Sequence, residues 1–232
     1  MVIDMKKYYK FELNMVIMNF LSIALLFIGL GIWFLLGLLF APKGIKFNMN
    51  PSFFLLLFFL YLVLHEICHG IGYSLFAKNK KAIKYGAALE KGVLYAMCQE
   101  RINKKALYIS LLAPLFILTI IALPLGFIIN NFTLQILAVF NLAGAIGDIM
   151  MVLFLTKLPK DIVYIDYDNV IGFYLISKED LSKYKMFGFK YIESGIDSDD
   201  LINKDIKLIS ISKVSYICFA GLLLIGILGY FF

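Results

Sequence analysis

The longest apolar stretch that also carries ionisable side chains runs from Ser52 to Ala77 and reads SFFLLLFFLYLVLHEICHGIGYSLFA. It exceeds the about 20 apolar residues that a helix needs to cross a bilayer, so it predicts a transmembrane helix. Inside it lie His65, Glu66 and His69, and the whole chain has only 2 histidines. Ionisable side chains are costly within a membrane and usually mark a functional site there.

Four more stretches are long and apolar enough to span a membrane, at residues 14–40, 106–130, 133–156 and 214–232. Hydrophobic residues make up 62% of the chain, charged residues 16%, and the mean hydropathy is +0.87. A water-soluble fold would not cover this much apolar surface with so few polar groups. The first stretch is too long for the apolar part of a signal peptide, so we expect it to be retained. The sequence therefore predicts an all-α polytopic membrane protein with about five transmembrane helices.

Two segments outside these spans show other patterns. Residues 82–103 contain two short apolar runs around Glu90-Lys91-Gly92, which predicts a β-hairpin after the second helix. In residues 157–213, two runs flank Asp168-Asn169 and predict another hairpin, and Ser177-Lys178-Glu179-Asp180 predicts the start of a helix. We therefore expect a small cytoplasmic α+β appendage before the fifth helix. The predicted organisation is a membrane core at 1–156, the appendage at 157–213 and the fifth helix at 214–232.

The distribution of lysine and arginine predicts the orientation in the membrane. The 22 basic residues fall into the successive non-membrane regions and their margins as 3, 2, 8, 0 and 9. The N-terminus, the hairpin and the appendage are therefore expected in the cytoplasm, and the C-terminus outside. The formal net charge is +6, but the lysines are spread over separate loops, so we expect no nucleic-acid partner.

His65 and His69 are four residues apart, so on a helix they share one face, one turn apart. This spacing lets two imidazoles bind one metal ion, and Glu66 beside them can act as the base for a metal-activated water. The alternative is a buried, hydrogen-bonded polar cluster that holds helices together. We favour a metal site, with Zn²⁺ as the ion, because all three residues are costly in an apolar span.

A catalytic zinc site needs a third protein ligand. Of the 16 acidic residues, only Glu66 and Asp148 fall inside apolar spans, so Asp148 is the candidate. The alternative is that Asp148 pairs with a lysine or a helix end. Asn141 lies seven residues before Asp148, on nearly the same helical face. It is expected either to hold a substrate carbonyl or to form an interhelical hydrogen bond.

With these residues in view, the chain resembles a family of prokaryotic membrane proteins described as putative zincin peptidases, itself distantly similar to the site-2 intramembrane zinc metalloproteases. The resemblance covers about Ser52 to Ile176. It rests on His65-Glu66-Ile67-Cys68-His69-Gly70, the hairpin from Tyr85-Gly86 to Tyr95, Leu112-Ala113-Pro114, and Asn141 through Gly147-Asp148. It implies that His65, His69 and Asp148 are zinc ligands, that Glu66 is the catalytic carboxylate, and that the protein lies in the cell membrane of a prokaryote. The site-2 pattern has prolines before the aspartate and Leu-Asp-Gly around it, whereas here Gly147 precedes Asp148 and Ile149 follows it.

The function expected from the sequence is zinc-dependent intramembrane or membrane-proximal proteolysis of a membrane protein or peptide. The hairpin, with Tyr85 and Gly86, is expected to offer an edge strand that holds the substrate extended. One alternative is a non-catalytic metal-binding membrane protein that transports, senses or scaffolds. The single cluster of ionisable residues disfavours a transporter, which would need a path of them. A second alternative is a membrane-anchored zincin acting on cytosolic substrates, which the position of Asp148 in an apolar span disfavours.

Overall fold

The chain forms helices and two β-sheets, so the expectation of an all-α fold is wrong. The computed structural model describes residues 7–41, 44–45, 49–88, 93–166 and 172–196. Within these ranges there are five helices and seven strands, an α+β arrangement. The predicted fifth transmembrane helix at 214–232 lies outside the described residues.

The first two helices are long and uninterrupted, and both begin at an asparagine cap. Helix α1 covers Met15–Phe40, and the side chain of Asn14 accepts hydrogen bonds from the first turn. Helix α2 covers Pro51–Ser74, with Asn50 as the cap and proline at its first position. Asparagine caps and a first-turn proline are typical helix starts, because the free N–H groups there need acceptors.

The remaining helices are irregular. Helix α3 runs over Lys104–Ile128 and changes from α to a π-helical turn at Phe116–Ile121 before it continues as α-helix. Helix α4 covers Phe132–Gly144 and α5 covers Ile146–Lys157, and the two are bent by 46° at the break between them. The predicted span at 133–156 is therefore a broken helix pair.

Three helices, α1, α2 and α3, are long and apolar enough to cross a membrane. Their outward faces carry large exposed apolar side chains, such as Phe20, Phe27 and Ile120. These surfaces suit a lipid environment, and they identify the chain as a membrane protein.

A five-stranded antiparallel sheet joins residues from both ends of the described chain. The strands are β1 (Lys7–Leu13), β4 (Ile102–Asn103), β5 (Val163–Ile165), β6 (Gly172–Ser177) and β7 (Phe189–Ile196), in the order β4-β5-β6-β1-β7. Strand β1, which the sequence analysis did not predict, lies between β6 and β7. Its residues Tyr9 and Phe11 are buried, whereas Lys7 is exposed.

The segment that follows β6 forms turns, so the helix expected to begin at Ser177 is absent from the described residues. The polar side chains at the predicted helix start are used in the turns. The Ser177 hydroxyl accepts from the Glu179 N–H, and the Asp180 carboxylate accepts from the Ser182 N–H. Such local bonds compete with a helix for the same backbone groups.

The predicted hairpin after α2 is present as a separate two-stranded sheet. Strand β2 (Ile83–Ala88) pairs antiparallel with β3 (Val93–Cys98), and Tyr85 lies opposite Ala96. The N–H of Asp166, just after β5, donates to the carbonyl of Cys98 at 3.3 Å. This bond joins the end of β3 to the five-stranded sheet.

The pairing of the strands constrains how the helices cross a membrane. Strand β1 precedes α1, strand β4 follows α2, and β5 follows α5, yet all three lie in one sheet. A single sheet outside the bilayer lies on one side of it, so an even number of crossings separates β4 from β5. We infer that, if α3 crosses, the bent pair of α4 and α5 crosses as well.

Candidate metal centre

The histidine pair lies in the second half of α2, on the face that packs against α3, α4 and α5. His65 and His69 are 9% and 6% exposed. They lie about 8–14 Å along the helix from its end at Ser74, given a rise of about 1.5 Å per residue. The site is therefore inside the helical region but nearer to the sheet side than to the opposite side.

Asp148 is in the first turn of α5, directly after the bend, and its carboxylate faces both histidines. Its Oδ2 atom lies 3.2 Å from Nε2 of His65, and its Oδ1 atom lies 3.3 Å from Nε2 of His69. The two Nε2 atoms are 3.2 Å apart. The bend at Ala145 turns α5 so that this carboxylate points back at α2.

The other ring nitrogen of each histidine has a fixed partner. Nδ1 of His69 lies 2.8 Å from the carbonyl oxygen of Ser110, which can only accept. Nδ1 of His65 lies 2.8 Å from Oδ1 of Asn141. The Asn141 amide is oriented by its Nδ2 atom, which donates to the carbonyl of Pro114 at 3.2 Å and to the hydroxyl of Thr119 at 3.0 Å.

These acceptors determine the tautomers. Because the Ser110 carbonyl and Asn141 Oδ1 accept, both histidines carry their hydrogen on Nδ1 when neutral. Both Nε2 atoms then present lone pairs toward the carboxylate of Asp148. Three electron-pair donors facing one another without a hydrogen repel unless a cation lies among them.

The donor set fits zinc. Atoms bound at about 2.0–2.1 Å to a tetrahedral zinc ion are about 3.3 Å apart, close to the 3.2 and 3.3 Å distances found here. Two imidazoles and one carboxylate leave a fourth position open, as catalytic zinc sites do. Histidines whose Nδ1–H donates a hydrogen bond to a carbonyl or amide oxygen are typical of metal sites. His65, His69 and Asp148 could therefore hold such an ion.

Glu66 lies beside the donor set but on another side of α2. Its carboxylate and the donor atoms of the two histidines lie within 4.8 Å of one another. The backbone of Ala96 in β3 lies close to this carboxylate. Glu66 thus lies against the hairpin, and it is free of the hydrogen bonds that join His65, His69 and Asp148.

The hairpin packs closely on α2 through aromatic rings. A side chain at Gly70 would collide with the ring and hydroxyl of Tyr85, so glycine allows this close contact. Burial and the nearby Glu66 carboxylate both raise the pKa of Tyr85. Gly86 is covered by the ring of Tyr95 from the neighbouring strand, so Tyr85 comes close to the site while Gly86 supports the hairpin.

A cavity of about 340 Å³ opens beside His65 and Glu66. Its wall is mostly apolar and comes from β1, α1, α2, β3, α4 and α5. A side chain added at Gly144, in that wall, would meet no atom within 4 Å. Other lining residues include Met18, Asn19, Ser22, Phe58, Tyr61, Leu94 and Phe140.

The structure brings together the residues singled out from the sequence. His65, His69 and Asp148 converge, Glu66 and Tyr85 flank them, and Asn141 is bonded to His65, with its amide fully occupied. Sequence reasoning missed the contribution of Ser110, which acts through its backbone carbonyl and so leaves no side-chain signal. The sequence did contain one signal for it. Pro114 lies four residues after Ser110 in a predicted helix, and a proline there has no N–H to bond the Ser110 carbonyl.

A polar cluster of two histidines, an aspartate and a separate glutamate inside a helical membrane protein defines a candidate metallohydrolase centre. Residues 58–163 match the model of a family described as putative zincin peptidase, which confirms the resemblance found from the sequence. The match includes the whole cluster. No curated protein and no solved structure is significantly similar to the chain.

Proposed function

We propose that the protein is a zinc-dependent endopeptidase that hydrolyses peptide bonds of membrane-associated substrates within or beside the bilayer. The observation that carries this proposal is the convergence of His65, His69 and Asp148 at zinc-like donor distances. Beside it, Glu66 is a carboxylate that does not join the donor set. Together they provide both parts that hydrolysis needs, a Lewis-acid site and a base.

In this proposal each residue has a distinct task. His65, His69 and Asp148 would hold zinc, which when bound supplies Lewis acidity toward a peptide carbonyl and toward water. Glu66 takes a proton from the attacking water and returns it to the leaving amine. The hairpin lies beside the Glu66 carboxylate at Ala96. Tyr85 lies close enough to Glu66 to contact a bound substrate.

The free edge of β3 supports an extended substrate. The Gln99 N–H donates to the Ala82 carbonyl next to β2, whereas the Cys98 carbonyl accepts from the Asp166 N–H. The backbone groups of Cys98 therefore point away from β2. Backbone groups alternate along a strand, and those of Leu94 therefore point the same way. Leu94 also lines the cavity, and within the described residues β3 pairs with β2 alone. A substrate added here would have its peptide bonds exposed, which a helix does not allow.

The cavity beside Glu66 suggests which side chain the substrate presents there. Its volume of about 340 Å³ and its wall of phenylalanine, leucine and methionine suit a large apolar side chain. Membrane-associated segments are rich in such residues. We therefore infer substrates with a large aliphatic or aromatic residue near the cleaved bond.

We also propose that the N-terminus and the five-stranded sheet face the cytoplasm of a prokaryotic cell, in the cell membrane. The lysine and arginine distribution supports this orientation. The Lys78–Lys84 region and the hairpin then lie on the cytoplasmic side. The predicted position of the C-terminus outside the cell depends on residues beyond those described.

The proposal is tested by measuring bound metal and cleavage together. Purified wild-type protein should contain about one zinc ion per chain, and His65→Ala should lose both zinc and activity toward an apolar peptide. Glu66→Gln should keep zinc but lower the cleavage rate by about 10²–10⁴-fold. Glu100→Gln is the control, because this carboxylate bonds to the Asn79 N–H outside the site.

Two outcomes would reject the proposal. Absence of zinc from wild-type protein, or equal zinc in His65→Ala, would remove the metal site. Unchanged function in Glu66→Gln together with loss in His65→Ala would indicate a metal carrier, sensor or scaffold. Glu66 would then have no role as a base.

A further inference from the structure

Three carbonyl groups on one face of α3 accept hydrogen bonds from outside that helix. The Ser110 carbonyl bonds to Nδ1 of His69 at 2.8 Å, and the Leu118 carbonyl accepts from the Tyr61 hydroxyl at 2.6 Å. Between them, the Pro114 carbonyl accepts from the Asn141 amide at 3.2 Å. The three acceptors are four residues apart, so they form one stripe along the helix.

The donors on α2 have the same spacing in the opposite direction. Tyr61 faces Leu118, and His69 faces Ser110. Between these pairs, Asn141 links His65 to the carbonyl of Pro114. Helices α2 and α3 are therefore held in one antiparallel register by side chains that bond to backbone carbonyls. Both histidines take part in these bonds, His69 directly and His65 through Asn141.

A carbonyl inside an α-helix normally accepts from the N–H four residues later. For Ser110 that residue is Pro114, which has no N–H. The Ser110 carbonyl is thus released from its helical donor at the place where His69 needs an acceptor. In membrane helices, carbonyls freed by proline are often satisfied by groups on neighbouring helices.

The close approach of α2 to α3 depends on Gly72. A Cβ atom at this position would lie 2.5 Å from the Cα atom of Ser110. Gly72 therefore lets the two backbones approach one turn away from His69. This proximity brings the released carbonyl within 2.8 Å of the Nδ1 atom.

We propose that Pro114 is a positioning residue of the metal centre. Because Pro114 has no N–H, the Ser110 carbonyl remains available to accept from His69. That hydrogen bond keeps the His69 hydrogen on Nδ1 and directs Nε2 toward Asp148. The proposal rests on the metal site described above, but it concerns how the ligand is oriented. It gives a functional reason for a proline in the middle of a long membrane helix.

The test compares Pro114→Ala with Pro124→Ala in the full chain. Both prolines lie within α3, and both substitutions restore an N–H and remove a helix-breaking ring. Only the N–H at 114 can compete with His69 for Ser110. Pro114 is fully buried, so Pro114→Ala also loses some packing, and thermal unfolding of both variants measures that loss separately from zinc affinity. Only Pro114→Ala should bind zinc more weakly, by about 10–100-fold in a chelator competition.

A second measurement needs no substitution. The chain has only 2 histidines, so nitrogen-15 labelling of histidine gives NMR signals from the His65 and His69 rings alone. Protein loaded with cadmium-113 should show metal coupling to Nε2 of both rings and a protonated, slowly exchanging Nδ1 on His69. In Pro114→Ala, exchange of that Nδ1 hydrogen should become faster.

The outcomes separate this proposal from the proposed function. Equal zinc affinity in Pro114→Ala and wild type, with normal zinc binding in both, overturns the role of Pro114 and leaves the metal site standing. Equal losses in Pro114→Ala and Pro124→Ala would indicate a general effect on the helix and also overturn it. Coupling through Nδ1 of His69 contradicts the orientation directly. Absence of metal binding in wild type would instead reject the proposed function.

Discussion

Asn141 and His65 are joined across two helices by a 2.8 Å contact between Oδ1 and Nδ1. Asn141 is 6% exposed, and both of its amide hydrogens are used, on Pro114 and Thr119. A substrate carbonyl would have to displace one of these bonds. The geometry therefore favours a role for Asn141 in orienting His65.

Asn141→Ala should weaken zinc binding by about 10–100-fold, because the Nδ1 hydrogen of His65 would lose its acceptor. The matched control is Gln135→Ala, which removes another buried amide from α4. The Gln135 side chain bonds to Trp33 and to the Gly126 carbonyl, away from the site. Gln135→Ala should lower thermal stability and leave zinc affinity unchanged. Wild-type zinc affinity in Asn141→Ala, with reduced cleavage, would favour contact with substrate instead.

Enlarging Gly144 should change substrate preference. Space around this position is open within 4 Å, so Gly144→Leu should fold and place its side chain in the cavity. Cleavage of a peptide with a large apolar residue should fall by about 10–200-fold, as for the loss of pocket space in other enzymes. A peptide with alanine there should be cut as before, and zinc content should not change. Gly31→Leu is the control, because Gly31 also has open space but lies outside the cavity. Equal losses for both peptides would argue against a selective pocket.

Gly188 should be intolerant of a side chain. Its φ is +86°, and a Cβ atom there would lie 2.5 Å from Met18. Its carbonyl accepts from the Asn14 N–H at 2.9 Å, which joins the sheet to the start of α1. Gly188→Ala should lower the unfolding free energy by about 1–3 kcal/mol, measured by denaturant or thermal unfolding. Gly31→Ala, in a helix with open space, should be neutral or slightly stabilising; a similar loss there would show that the effect is not specific to Gly188.

Accessibility to an impermeant thiol reagent tests the orientation. Met49 lies between α1 and α2, opposite the sheet, and Lys80 lies near the hairpin. In a Cys218→Ser background, Met49→Cys should be labelled in intact cells, and Lys80→Cys only after lysis. The remaining cysteines, Cys68 and Cys98, are buried. The reverse pattern would place the sheet outside the cell.

The first three spans and the clustered ionisable residues stood out in the sequence because each leaves a strong local signal. An apolar run of membrane length is unusual, and within one the cost of His65, Glu66 and Asp148 singles them out. Strand β1 left no comparable signal, since its seven residues mix lysines with aromatics and its partners lie beyond all five helices. The sequence also could not predict the bend at Ala145, which depends on packing of α5 against residues of β1 and α1 such as Leu13 and Met18.

The central place of β1 in its sheet has a consequence for synthesis of the protein. Lys7 pairs with Ser177 on one side and Ile196 on the other. At about 5–20 residues per second, these partners leave the ribosome on the order of 10–40 s after Lys7. During that interval the described helices are synthesised while neither partner strand of β1 is present. Leu13, at the end of β1, lines the cavity beside Glu66. Closure of the sheet thus follows synthesis of all the described helices, and it places Leu13 in the wall of the cavity.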